Sequence, residues 1–144
     1  MKTLAAIAAF SAVMATGTAM ADSGSYTGNW QVTLTRDLYL TTKGYTGHRP
    51  KSTHCVVLTD GLNFGRRHSG SAVLDGQYEG DFQVINGNVV IFVDVQGSGE
   101  EPASATFTAR ARDGDIDENG AYDIIQGGTS YELANATFGA KGSC

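Results

Sequence analysis

The chain is poor in the residues that build helical, metal-rich or nucleic-acid-binding proteins. It has one tryptophan, two cysteines, two prolines and three histidines in 144 residues, and only 17% of it is charged. All three methionines (Met1, Met14 and Met20) fall in the first 21 residues. Beyond those residues there is no apolar run long enough to span a bilayer and no sustained helical period. There is no C-x-x-C, internal repeat or linker to mark a second domain.

The first 21 residues read as an export signal. Lys2 supplies the positive start, Leu4 to Val13 the short apolar core, and Ala19-Met20-Ala21 an A-x-A cleavage site. The expected mature domain is therefore 22–144, exported to the periplasm or medium. Without Lys2 it carries 9 basic and 15 acidic residues, a net charge of −6, which argues against nucleic acid or an anionic membrane as partner. The charge is uneven, with most basic residues before Val73 and most acidic ones after it. A domain of this length is expected to bury about two thirds of its unfolded surface and to be a monomer.

In an oxidising compartment Cys55 and Cys144 are expected to pair. The bridge would close a loop of 89 residues (144 minus 55), worth roughly 4 to 5 kcal/mol in the chain-entropy model. His54, next to Cys55, should point to the opposite face of its strand, so Cys55 does not read as an activated nucleophile.

What the chain has is glycine, 19 in all, and short alternating runs of β-branched and aromatic residues between turn signals. That reads as all-β. Asn86-Gly87 predicts a two-residue hairpin turn, which fixes a register pairing Val84 with Val89, Phe82 with Ile91, Gly80 with Val93 and Tyr78 with Val95, each able to share a buried face. The other face then exposes Val90 and Phe92, a small contact patch if it is not chance. Gly127-Gly128 predicts a second hairpin, with Ile124 opposite Tyr131 and Tyr122 opposite Leu133. In Ala103 to Arg112 the inward side would be Ala103, Ala105, Phe107, Ala109 and Ala111. Tight turns at Asp113-Gly114 and Asn119-Gly120 would set Glu118 and Asp117 against buried positions, so Asp113 to Gly120 is expected to be an irregular loop. With Trp30, Val32 and Leu34 inward on a first strand and further strands at Thr53–Thr59 and Ser69–Leu74, the order predicts a meander of seven or eight strands. Such a meander closes into an up-and-down barrel, with Thr41 to Ser52 as its long connection.

Gly28-x-Trp30 on the first strand resembles the G-x-W signature of lipocalins and related calycin barrels. The resemblance implies a tryptophan that closes the narrow end, a cup open at the other, and a C-terminal segment tied back by a disulfide. Gly127 to Gly142 also resembles strands of the surface barrels of transferrin-binding and factor-H-binding proteins, which grip other proteins. Avidins begin similarly, but their biotin site draws on several tryptophans.

The sequence thus predicts an exported barrel holding an apolar or amphipathic small molecule among Trp30, Val32, Tyr78, Phe82, Ile91, Val93 and Phe107. The alternative is a protein-binding or inhibitor barrel acting through its outer face and loops, including His48 to Lys51. Asp115, Asp117, Asn119 and Asp123 have the spacing of an EF-hand-type calcium loop, with Gly120 at its turn, but Gln126 stands where a bidentate glutamate belongs. The expectation is a solvated acidic loop; a weak structural calcium site is the alternative, and no other cofactor is expected. His48, His54 and His68 are expected at the surface, near basic residues that would bind an anion if their loops met at one end. No nucleophile with a base and an orienting acid is legible, so the chain is not expected to be an enzyme.

Overall fold

A computed structural model describes residues 24–36, 38, 50–64, 67–95, 103–126 and 129–144. The proposed export signal, His48, Arg49 and Arg66 lie outside them. Eight antiparallel strands follow one another around a closed barrel: β1 (Gly28–Leu34), β2 (Ser52–Phe64), β3 (Arg67–Leu74), β4 (Tyr78–Ile85), β5 (Asn88–Val95), β6 (Ala103–Arg112), β7 (Asp115–Gln126) and β8 (Thr129–Lys141). β8 pairs with β1, so the eight described strands close on one another without an open edge.

The β4–β5 hairpin has the register its turn dictates: Gly80 opposite Val93, Phe82 opposite Ile91 and Val84 opposite Val89. Asn86 and Gly87 both adopt positive φ (54° and 78°), the conformation that matches the twist of the flanking strands. β5 alternates between exposed and buried at every residue, leaving Val90 and Phe92 about 40% exposed. β6 keeps its alanines and Phe107 inward, as its alternation requires.

Two expectations are corrected. Asp113 to Gly120 is not a loop: Asp113-Gly114 is a two-residue turn with positive φ at both positions, and β7 begins at Asp115. The feared burial of Glu118 is avoided by a wide bulge. Ala111 pairs with Ile116, but Ala109 pairs with Gly120, so four steps on β7 face two on β6. The surplus residues are extruded and Asp117, Glu118 and Asn119 are all exposed. Asn119 donates its N–H to Asp117 Oδ1 at 2.9 Å, which pins the bulge. Because the surplus is an even number, Ile116 and Tyr122 both still face inward. Gly120 has no Cβ because one there would lie 2.6 Å from the Thr108 carbonyl and 2.8 Å from the Phe138 ring.

The second correction concerns β7 and β8. Gln126 with Thr129 and Ile125 with Ser130 keep the register of the glycine turn, but a bulge follows, and Tyr122 meets Ala134, not Leu133, while Ile124 meets Glu132, not Tyr131. Asp123 accordingly stands opposite Leu133 and not Glu132. The shift has a packing cause: it brings Ala136 and Phe138 onto the core face and leaves Asn135 and Thr137 in water.

Cys55 and Cys144 are joined, with Cα atoms 5.9 Å apart. To reach Cys55 on β2 the C-terminal segment crosses the outside of β1, where Gly142 donates to the Asn29 carbonyl at 2.7 Å and Gln31 N–H to Ser143 Oγ at 2.9 Å.

Candidate functional site

The two ends of the barrel differ. At one end Trp30 and Tyr26 are fully buried, and the Trp30 indole N–H donates to the Tyr26 carbonyl at 3.3 Å. Residues before β1 are strapped over this end by Asp60, which accepts from Ser25 Oγ at 2.8 Å and from the Tyr26 N–H, and donates its own N–H to Thr27 Oγ1. Gly28, with φ 157°, lets the aliphatic stem of Lys141 pass; a Cβ there would lie 2.8 Å from Lys141 Cγ. The Lys141 ammonium sits 5.7 Å from the centroid of the Trp30 ring and donates to the Ser25 carbonyl. Gly28-x-Trp30 is thus the plug of one end, and the glycine admits the lysine that covers it.

At the other end β1, β3, β5 and β7 finish and β2, β4, β6 and β8 begin. Between the two, the described inner face is mainly apolar, with His54 and His68 as its buried polar residues. Phe82, Ile91, Phe107 and Tyr122 are consecutive in register around β4 to β7 and are buried, the Phe107 and Tyr122 ring centroids being 6.4 Å apart. One step toward the second end the layer is mostly small: Ala72, Gly80, Val93 and Ala105, also consecutive in register. Of the residues the sequence marks as ligand-contacting, Phe82, Ile91, Val93 and Phe107 therefore sit together. Trp30 and Val32 are buried on β1, with Trp30 at the plugged end, and Tyr78 is half-buried at the second end.

The histidine expectation is overturned. His54 and His68 are buried, at 5% and 4% exposure. His68 lies near the plugged end with its ring edge-on to Tyr26, centroids 5.3 Å apart. His54 faces inward at the second end, on the face of β2 opposite Cys55. Its Nε2 is 2.7 Å from Ser52 Oγ and its Nδ1 2.7 Å from Asp75 Oδ2. Asp75 Oδ1 accepts the Cys55 N–H at 2.9 Å, and the Asp75 N–H donates to the Cys55 carbonyl at 2.7 Å. Leu38 N–H donates to Ser52 Oγ at 3.2 Å. A serine, a histidine and an aspartate thus stand in one hydrogen-bonded line at this end of the barrel, although no catalytic constellation is legible in the sequence. Ser-x-His is a visible hint, since residues two apart on a strand share a face. The partner Asp75 is hidden because β2 and β3 slip by one residue between Asp60 and Asn63, so the register cannot be counted back from the turn.

The described members of the two basic segments do not meet. Lys51 precedes β2 at the His54 end, whereas Arg67 opens β3 opposite Phe64 at the Trp30 end. The calcium residues are not gathered either. Asp115, Asp117, Asn119 and Asp123 are spread along the extended strand β7, where Asp123 Oδ1 accepts from Ser130 Oγ and Asp115 Oδ1 from the Ile116 N–H. Among the described residues no group of three or more His, Cys, Asp or Glu side chains is placed to hold a metal ion. Among them, too, no helix is long and apolar enough to cross a membrane.

The fold and this site define a closed eight-stranded antiparallel barrel with Trp30 buried at one end, an architecture compatible with lipocalin-like proteins. Comparisons of the chain with protein-family models, curated proteins and solved structures find no match.

Proposed function

We propose that this is an exported barrel that holds an apolar or amphipathic small molecule, in the manner of the lipocalin-like proteins its architecture resembles. The reading rests chiefly on the layer Ala72, Gly80, Val93 and Ala105, which lies between the aromatic row and the His54 end. Small side chains at these register positions reduce the inward bulk of a row that Leu58 and Ile124 complete on either side. Ligand sites are typically apolar with a few placed polar groups; here Ser52, His54 and Asp75 supply them at the same end. The disulfide agrees with an oxidising compartment.

The test is a titration with the fluorescent probe 1-anilinonaphthalene-8-sulfonate and competition by dodecanoate. Saturable one-to-one binding, displaced by dodecanoate and weakened at least tenfold by Ala105→Leu, supports the reading. No saturable binding by the folded protein contradicts it.

A second reading, a barrel that binds another protein through its outer face, draws on Val90 and Phe92. They are exposed side by side on β5, between Asp81 and Gln83 on β4 and Thr106 and Thr108 on β6. Protein capture abolished by Phe92→Asp, with probe binding absent, would favour it.

A further inference from the structure

We infer that Ser52 is a nucleophile, activated by His54 and oriented through Asp75, and that the His54 end of the barrel is an acyl-transfer site for carboxylic esters. The direction of the hydrogen bonds carries the argument. An ionised Asp75 can only accept, so His54 Nδ1 holds the proton of the neutral ring. The Nε2 lone pair then faces Ser52 Oγ at 2.7 Å, within the reach a general base needs. Leu38 N–H occupies an acceptor position of the same oxygen, leaving the hydroxyl hydrogen for Nε2.

The line is also held rigidly. Asp75 is fixed by two hydrogen bonds to the backbone of Cys55, the residue that carries the disulfide. The His54 side chain is 3% exposed and that of Asp75 24%. Tying the β3–β4 turn to β2 would require only the Asp75–Cys55 bonds. A histidine between the carboxylate and a serine, with each link at 2.7 Å, is the nucleophile, base and orienting acid of acyl transfer, which recurs on unrelated folds and is recognised by geometry.

In the step proposed, Ser52 Oγ attacks the ester carbonyl carbon and its proton passes to His54 Nε2. The carbon–alkoxy bond breaks, the alcohol leaves with that proton, and Ser52 is acylated. Water then attacks the acyl carbon, again through Nε2, releasing the carboxylic acid and restoring the serine. Ester and water give acid and alcohol, with no other reactant. Asp75 is a positioning residue. The site of the acyl chain, inside the barrel, rests on the binding reading above; the reactivity of Ser52 does not.

The experiment treats the oxidised, folded protein with a fluorophosphonate and maps the adduct by peptide mass spectrometry, alongside hydrolysis of 4-nitrophenyl acetate and 4-nitrophenyl decanoate. The expected result is a single adduct on Ser52, absent in Ser52→Ala, with ester turnover falling roughly 10²- to 10⁴-fold in His54→Gln. Asp75→Asn should lower kcat with little change in KM, a split that a purely structural tie would not give. No adduct on Ser52 of the folded wild-type protein overturns the inference, as does labelling of Ser52 at an unchanged rate in folded His54→Gln. If acetate and decanoate esters react equally, the binding reading loses its support while the nucleophile stands. If the naphthalene probe binds but Ser52 stays unmodified, the nucleophile fails and the binding reading stands.

Discussion

Lys141, the last residue of β8, lays its ammonium 5.7 Å from the centroid of the Trp30 ring on β1 and closes over the plugged end of the barrel. Gly28 makes room for it, so one lysine, one glycine and one tryptophan form a single device. Trp30→Ala should cost about 3 to 5 kcal/mol, because it empties a fully buried position. Lys141→Met keeps the stem and removes the charge, and should cost only about 0.5 to 1 kcal/mol. Urea unfolding of the two variants checks the ranking, which would reverse if Trp30 were peripheral to the core.

The Cys55–Cys144 bridge closes a loop with a sequence separation of 89 residues. Cys55→Ser and Cys144→Ser should each lower stability by roughly 4 to 5 kcal/mol, and by the same amount, because each removes the same crosslink. Thiol titration of the oxidised wild-type protein should find no free thiol, whereas two would contradict the pairing.

The bulge in β7 gives a third prediction. Asp117 accepts the Asn119 N–H and belongs to no metal-holding group among the described residues. Melting temperatures in calcium and magnesium at equal ionic strength should therefore coincide, and Asp117→Asn should leave them coincident. Asp117→Ala removes the hydrogen bond and should cost about 0.5 to 1.5 kcal/mol. A rise specific to calcium would mean that these carboxylates converge on an ion.

These outcomes follow how far the sequence could be read. Where a tight turn dictates the register, as at Asn86-Gly87, period-2 patterning places every side chain on the correct face. Bulges break that reasoning. The surplus residues in β7 rescue Glu118 from the core, and the slip in β8 moves Tyr122 from Leu133 to Ala134. Neither leaves a mark that alternation can show, because a bulge is set by what the neighbouring strand must bury. The same blindness hid the line of Ser52, His54 and Asp75. Ser52 and His54 share a strand face, but Asp75 reaches them only through a register that slips between Asp60 and Asn63. A histidine in polar sequence was expected in water; His54 is buried because two neighbours satisfy its ring.

Val90 and Phe92 offer a fourth prediction. Both project from β5 into water, so Phe92→Thr should change stability by no more than about 0.5 kcal/mol and leave probe binding unaltered. A larger loss would mean that this face is covered in the native protein.

Native mass spectrometry of the protein recovered from the cells that export it decides whether the proposed ligand is there. The expected result is a species heavier than the oxidised polypeptide by one ligand mass, returned to the polypeptide mass by extraction with organic solvent. A spectrum holding only the polypeptide with its Cys55–Cys144 bridge, before and after addition of excess dodecanoate, would contradict it.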